Sequence, residues 1–182
     1  MQELSLHILD IAGNSIRANA SLIQTDIEEI PGKDQYIIRI SDNGTGMNYE
    51  ELTKATNPFF TSRTRRKVGL GIPLLKQNAE RTGGFTKLQS IKGKGTTIKA
   101  VFGFSHIDRP VLGDMAGTVL ILCSNEKNAE FVYRHKTPFG EFCFDSRKIK
   151  STLEDISINS TAVRSFLLEM IQENLKQIRA SE

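Results

Sequence analysis

Asp42-Asn43-Gly44-Thr45-Gly46-Met47 is the stretch on which the fold turns. Two glycines, spaced by one residue, follow a strand-like segment, and Ser41–Met47 reads as a glycine loop. Glycine accepts positive φ and lets backbone N–H groups come close to a neighbour or ligand. Upstream, Ser21–Ile30 and Gln35–Ser41 read as strands joined by the turn Pro31-Gly32-Lys33-Asp34. Downstream, Asn48 is placed to cap a short helix over Tyr49–Thr56, with Glu51 three residues on.

The pattern extends outward on both sides. Residues 2–18 read as an amphipathic helix, with Leu4, Ile8, Ile11, Ala12 and Ile16 at helical spacing. Glu3, His7, Asp10, Asn14 and Arg17 form a second stripe, which taken alone is the wet side of a surface helix. Gly13 inside this helix suggests that something packs close to the backbone there. Asn57–Lys67 is irregular and basic, and Gly69-Leu70-Gly71 leads into a helix from about Pro73 that Gly83-Gly84 ends. Phe85–Ile91 and Thr96–Phe104 make a hairpin through Lys92-Gly93-Lys94-Gly95. After a connector follow a strand at Thr118–Cys123, a hairpin over Glu130–Phe144, and helices near Ser146–Ile156 and Thr161–Ile178.

Most glycines before residue 104 cluster in three short loops. Inward-turned N–H groups make an anion-binding nest, and Gly69-Leu70-Gly71 directly before a helix adds that helix's positive end. A phosphate chain suits that place, with Arg63, Arg65, Arg66 and Lys67 just upstream. Each loop alone is weak evidence: Gly83-Gly84 read as a helix cap, and Gly93 and Gly95 are divided between hairpin geometry and function.

Composition narrows the classes. A formal net charge of +3 over 182 residues, without a dense basic tract interleaved with aromatics, points away from nucleic acid. No signal peptide and no transmembrane helix are expected, and the chain reads as cytoplasmic. Cys123 and Cys143 sit in no metal-binding motif and read as buried free thiols.

Taken together, four motifs resemble those of the GHKL superfamily, which includes gyrase, the heat-shock chaperone ATPases, histidine kinases and MutL. The chain also resembles the anti-sigma-factor serine kinases. Asp10-Ile11-Ala12-Gly13-Asn14 with Ser15–Ala20 resembles the N box, and Asp42–Met47 the DxGxG box. Pro58-Phe59-Phe60-Thr61-Ser62-Arg63 resembles the F box, and Gly69-Leu70-Gly71-Ile72 the second glycine box. Gly93-Lys94-Gly95-Thr96-Thr97 is a weaker fifth match.

The resemblance implies an α/β chain of the α+β type. This is a two-layer Bergerat sandwich with helices on one face of a mixed, mainly antiparallel sheet, over residues 1–105. Residues 106–182 form a small α/β C-terminal extension, either a separate appendage or continuous with the same sheet through Thr118–Cys123. The resemblance also assigns roles. Asn14 holds Mg²⁺ against the phosphates of ATP. Asp42 reads the adenine amino group, supported by Thr96, and Gly44, Gly46 and Met47 line the base. Residues 57–71, with Phe60, Thr61, Arg63, Gly69, Leu70 and Gly71, form a lid over the phosphates. Asp10 stands where the family's ATPases carry a Glu general base; it is one methylene shorter, and it is the expected catalytic residue.

The N-box helix begins almost at residue 1, so no phosphoacceptor-histidine hairpin is expected upstream, and His7 is not a phosphoacceptor. The expected function is a stand-alone Mg-ATP-binding protein performing ATP hydrolysis or phosphoryl transfer as an ATPase or protein kinase. A non-catalytic ATP-sensing regulator of a protein partner is the alternative. No membrane partner is expected, and a homo-oligomer is left open. Val163, Phe166, Leu167, Met170, Ile171 and Leu175 give the last helix an apolar stripe, read as packing on this protein's own sheet rather than on a partner.

Overall fold

A computed structural model describes residues 3–55, 71–125, 127–154 and 156–181. One six-stranded sheet runs through it in the order β3-β4-β2-β1-β5-β6. The strands are β1 (Leu22–Ile30), β2 (Gln35–Asp42), β3 (Phe85–Ile91), β4 (Gly95–Gly103), β5 (Glu130–Thr137) and β6 (Gly140–Asp145). Of these pairings only β1–β5 is parallel. The helices are α1 (Leu4–Arg17), α2 (Tyr49–Ala55), α3 (Gly71–Arg81), α4 (Met115–Cys123), α5 (Ser146–Leu153) and α6 (Thr161–Gln177).

Strand alternation decides which face is buried. Ile23 and Ile27, then Tyr36, Ile38 and Ile40, then Ile98, Ala100 and Phe102 point inward, where α1 supplies Leu4, Ile8, Ile11 and Ala12. The α3 residues Leu75 and Ala79 join the same core, as do Val119 of α4 and Leu167 and Ile171 of α6. The outer face carries Gln24, Asp26, Arg39, Lys87 and Lys99, all exposed or half-exposed. Among the described residues no helix covers its central strands. This is the expected two-layer α+β sandwich with a mixed, mainly antiparallel sheet.

Helix ends follow local chemistry. Asn48 Oδ1 accepts the Glu51 N–H at 2.9 Å, and Glu51 returns by accepting the Asn48 N–H at 2.8 Å, a complete capping box. The amides of Gly83 and Gly84 donate to the Glu80 and Ala79 carbonyls at 3.0 Å each and close α3. The first amides of α1 are met by another segment: Leu4 N donates to Val111 O at 2.8 Å and Ser5 N to Leu112 O at 2.9 Å.

Several expectations are corrected. Thr118–Cys123 is no strand but the body of α4, whose N-cap Asp114 accepts the Gly117 N–H at 2.8 Å. Seven residues of α4 are buried, so the run is apolar on nearly every side and its period is unreadable from sequence. The strand beside β1 is instead β5, paired in parallel with Leu22 opposite Glu130. The α3 helix already includes Gly71, two residues before Pro73. Among the described residues nothing crowds Gly13: an added Cβ would meet only Arg17 Nη1, at 3.6 Å. His7 is fully buried rather than wet, and Cys143 is exposed while Cys123 is buried. Burial pushes the Cys123 thiol up to about 12. In the last helix Leu167 and Ile171 are buried and Val163, Met170 and Leu175 pack against the core, but Phe166 is 65% exposed.

Candidate functional site

The site is assembled where β2 ends and β4 begins, beside the C-terminal half of α1. Asp42 is the last residue of β2 and stands opposite Thr96. Its Oδ1 accepts the Gly44 N–H at 2.9 Å and the Thr96 N–H at 3.3 Å. Its Oδ2 accepts the Ser15 hydroxyl at 2.6 Å. Ser15 adjoins Asn14 on α1, so this bond draws Asn14 and Asp42 to the same side of the molecule. Each carboxylate oxygen has about two acceptor positions. Oδ1 uses two and Oδ2 one, which leaves Oδ2 able to take a further donor.

Backbone contact explains the glycines. Gly46 has φ +60°, and an added Cβ would lie 2.0 Å from the Ile91 carbonyl oxygen. Gly95 has φ +102°, with its Cβ position 1.9 Å from the Asp42 carbonyl oxygen. No side chain fits at either place. The loop after β2 is thus pressed against the β3–β4 turn, and Gly93 N donates to Thr45 O at 2.8 Å. Gly95 thereby packs on the Asp42 end of β2 as well as belonging to the hairpin. On the other side Thr45 N donates to Ala18 O at 2.8 Å, pinning the loop to the end of α1. Gly44 is buried there, and Met47 N donates to the Ser90 hydroxyl at 2.8 Å.

One turn before Asn14, Asp10 reaches α3. A Cβ on Gly71 would sit 2.0 Å from Asp10 Oδ2, so the missing side chain at Gly71 is what gives the carboxylate its room. Asn14 Oδ1 accepts a hydrogen bond from the Arg17 guanidinium. His7 Nε2 lies 2.9 Å from the Asn78 amide nitrogen and ties α1 to α3. Asp10, Asn14, Asp42, Gly44 and Gly71 are therefore joined through α1 and its contacts, and Gly46, Met47 and Thr96 through the β3–β4 hairpin. Phe60, Thr61, Arg63, Gly69 and Leu70 lie outside the described residues.

Two contributors carried no role in the sequence reading. Ser15 lies in the N box, and its signal is a serine in mid-helix beside a half-buried carboxamide, a place where serine needs an outside partner. Ser90 accepts from Met47, lies 2.9 Å from Thr96 Oγ1 and donates to Gly95 O at 2.9 Å. Its signal is a hydroxyl on the inward face of a strand. Among the described residues no cluster of His, Cys, Asp and Glu suited to a metal is present, and no helix is long and apolar enough to cross a membrane.

The chain resembles several known proteins over part of its length. A putative sensor protein of Shewanella frigidimarina (strain NCIMB 400) is 28% identical over 109 residues, covering 59% of this chain and 16% of that protein. The sensor kinase CckA of Brucella abortus (strain 2308) is 38% identical over 72 residues, 39% of this chain and 8% of its own. The sensor histidine kinase ZraS of Salmonella typhimurium is 32% identical over 90 residues, 48% of this chain and 19% of its own. The chain thus spans less than a fifth of each of these relatives. Among solved structures, the N-terminal domain of a DNA repair protein superposes with a TM-score of 0.56 at 16% identity, over 85% of this chain and 57% of that one, a likeness of fold. The model of the histidine kinase-, DNA gyrase B- and HSP90-like ATPases matches residues 2–106, and the chain belongs to that family.

Proposed function

We propose that this protein binds Mg-ATP at the α1–β2–β4 site and hydrolyses it or transfers its phosphoryl group. The observation that carries the reading is the state of Asp42. Ser15, Gly44 and Thr96 hold its carboxylate by three hydrogen bonds, with acceptor capacity left on Oδ2. An exocyclic amino group is a donor that such an acceptor can take, because an ionised carboxylate offers acceptor positions only. Asn14, beside Ser15, supplies a carboxamide oxygen of the hard type Mg²⁺ prefers. Arg17 holds that oxygen in the structure and would swing aside, which its exposed position allows. When bound, the ion would neutralise phosphate charge and orient the phosphoryl group.

Asp10 is the proposed general base. It would orient a water or a substrate hydroxyl from its place one turn before Asn14. Gly71, at the start of α3, would offer backbone N–H to phosphate. Phe60, Thr61, Arg63, Gly69 and Leu70 are proposed as lid residues, Gly46 and Met47 as the wall along the base, and residues 1–105 as the ATP-binding part. Residues 106–182 add β5 and β6 to the sheet, and a protein partner or phosphoacceptor in the cytoplasm belongs to the proposal.

One observation favours the second reading, an ATP-sensing regulator without efficient chemistry. The Asp10 carboxylate is short and packs on Gly71, so its reach towards a γ-phosphate is limited. Phosphate release and Mg-ATP affinity, measured together on the wild type and Asp10→Asn, separate the two. Catalysis predicts that release falls by about 100-fold or more with affinity retained. Affinity without release above background selects the regulator, and absence of affinity overturns both.

A further inference from the structure

We propose that the outer face of β2, β4 and β3 is a docking surface for an acidic amphipathic helix of a partner protein. This inference does not depend on the nucleotide reading, because the face lies on the opposite side of the sheet.

The register builds the surface in rows. Arg39 stands opposite Lys99, and Lys99 opposite Lys87, so three cations cross three strands side by side. Like charges directly opposite one another destabilise a sheet. Among the described residues none of the three has an acidic partner. The other half of the same face is arranged differently. Asp26 pairs with Arg134 at 3.4 Å, Arg134 with Glu141 at 3.2 Å, and Glu28 with Lys136 at 3.4 Å. Asp26 is the register neighbour of Arg39, yet its ion pair goes the other way.

Next to the basic row runs an apolar one, Ile37 opposite Val101 and Val101 opposite Phe85. Phe85 is 52% exposed. The basic row and Phe85 border a concavity of about 710 Å³ on this face.

Spacing selects the occupant. Adjacent strands lie about 4.8 Å apart, so the three cations span about 10 Å. Carboxylates at i, i+4 and i+7 of an α-helix span about 10.5 Å along one face. A helix laid across the strands puts one acid over each cation and an adjacent apolar stripe over Phe85. An extended peptide in the same direction carries same-face residues about 6.7 Å apart and falls out of step. Single-stranded nucleic acid stacks its bases on successive aromatic rings, and among the described residues this face exposes Phe85 alone.

The test uses the full chain and a fluorescein-labelled helical peptide with a glutamate stripe at i, i+4 and i+7 beside a leucine stripe. A scrambled peptide of the same composition and a labelled oligothymidylate are the competitors. The proposal expects salt-sensitive binding of the striped peptide, about tenfold weaker binding of the scrambled one, and loss of about 30-fold or more in Lys87→Glu/Lys99→Glu. That variant turns the repulsion between position 99 and Arg39 into an attraction and leaves positions 87 and 99 alike in charge, so it should melt close to wild type, and Lys87→Arg/Lys99→Arg should retain binding. Equal binding of both peptides, no binding, or binding unchanged by charge reversal overturns the proposal. Tighter binding of the oligothymidylate, lost on charge reversal, replaces it with a nucleic-acid surface.

Discussion

The two ends of the sheet are held together by different means. At the glycine-loop end, backbone touches backbone: the Ile91 carbonyl oxygen occupies the space of a Gly46 side chain, and the Asp42 carbonyl oxygen that of a Gly95 side chain. At the other end, side chains do the joining. Glu29, 5% exposed, meets His135 Nε2 at 2.8 Å and the Ser181 amide at 2.8 Å, and His135 Nδ1 lies 2.7 Å from the Tyr133 hydroxyl. The first end keeps side chains out and leaves polar groups facing inward. The second fills its interior and pairs Glu29, His135 and Tyr133 with one another within the fold. Under the proposed function, ligand binding falls to one end and stability to the other.

The sharpest break in that comparison comes from Gly95→Val. A β-branched side chain at φ +102° against the Asp42 carbonyl forces the hairpin off the loop. Loss of measurable Mg-ATP affinity is expected, with a melting temperature lower by several degrees, about 2–3 kcal/mol. Retained affinity in a folded Gly95→Val protein would separate the glycine contacts from binding.

Next in size is Asp42→Asn, which replaces an acceptor-only carboxylate with a mixed group. A charge-assisted hydrogen bond contributes about 1.5–3 kcal/mol, so affinity should fall about 10- to 150-fold with the melting temperature little changed. The mirror experiment is Glu29→Ala. It strands the His135 and Ser181 donors and should cost about 2–3 kcal/mol of stability in urea denaturation while leaving Mg-ATP affinity within about twofold. Should Glu29→Ala weaken affinity as much as Asp42→Asn, the two ends are not separate in function.

The far end also carries a pH signature. Burial pushes the Glu29 carboxyl up, but the hydrogen bonds from His135 and Ser181 outweigh it and hold it below the usual carboxylate range. A depressed carboxylate stabilises the fold above its unfolded value of about 4.3, and that contribution is lost as pH falls through the lower folded value. Urea midpoints should therefore drop on acidification below about pH 4.3, and Glu29→Gln should flatten that drop. The smallest effect is expected from Ser15→Ala. Asp42 keeps two of its three supports, so affinity should fall about fivefold, near 1 kcal/mol.

The same contrast explains what could be read from residues alone. Close backbone approach demands glycine, and the demand leaves a visible mark, so Gly44 and Gly46 stand out in the bare sequence. Asn48 and Glu51 were legible because a capping box is local. Hydroxyl supports leave a fainter mark, since serine serves turns, caps and surfaces alike, and Ser15 and Ser90 went without a role. The far end was harder still. The α4 segment is apolar on nearly every side, so no period betrays a helix. The parallel seating of β5 beside β1 is set by contacts about a hundred residues apart, as the pairing of Leu22 with Glu130 illustrates. Phe60, Thr61, Arg63, Gly69 and Leu70 rest on the motif alone.

The central claim is that a nucleotide sits where the glycine loop meets α1. The most direct measurement is an amide NMR titration of the full chain with Mg-ATP. The account predicts that the Gly44, Gly46, Gly95 and Thr96 amides shift while those of β5 and β6 stay in place, and that Asn14→Ala weakens the titration. Shifts centred on β5 and β6, or none at saturating Mg-ATP, would contradict it.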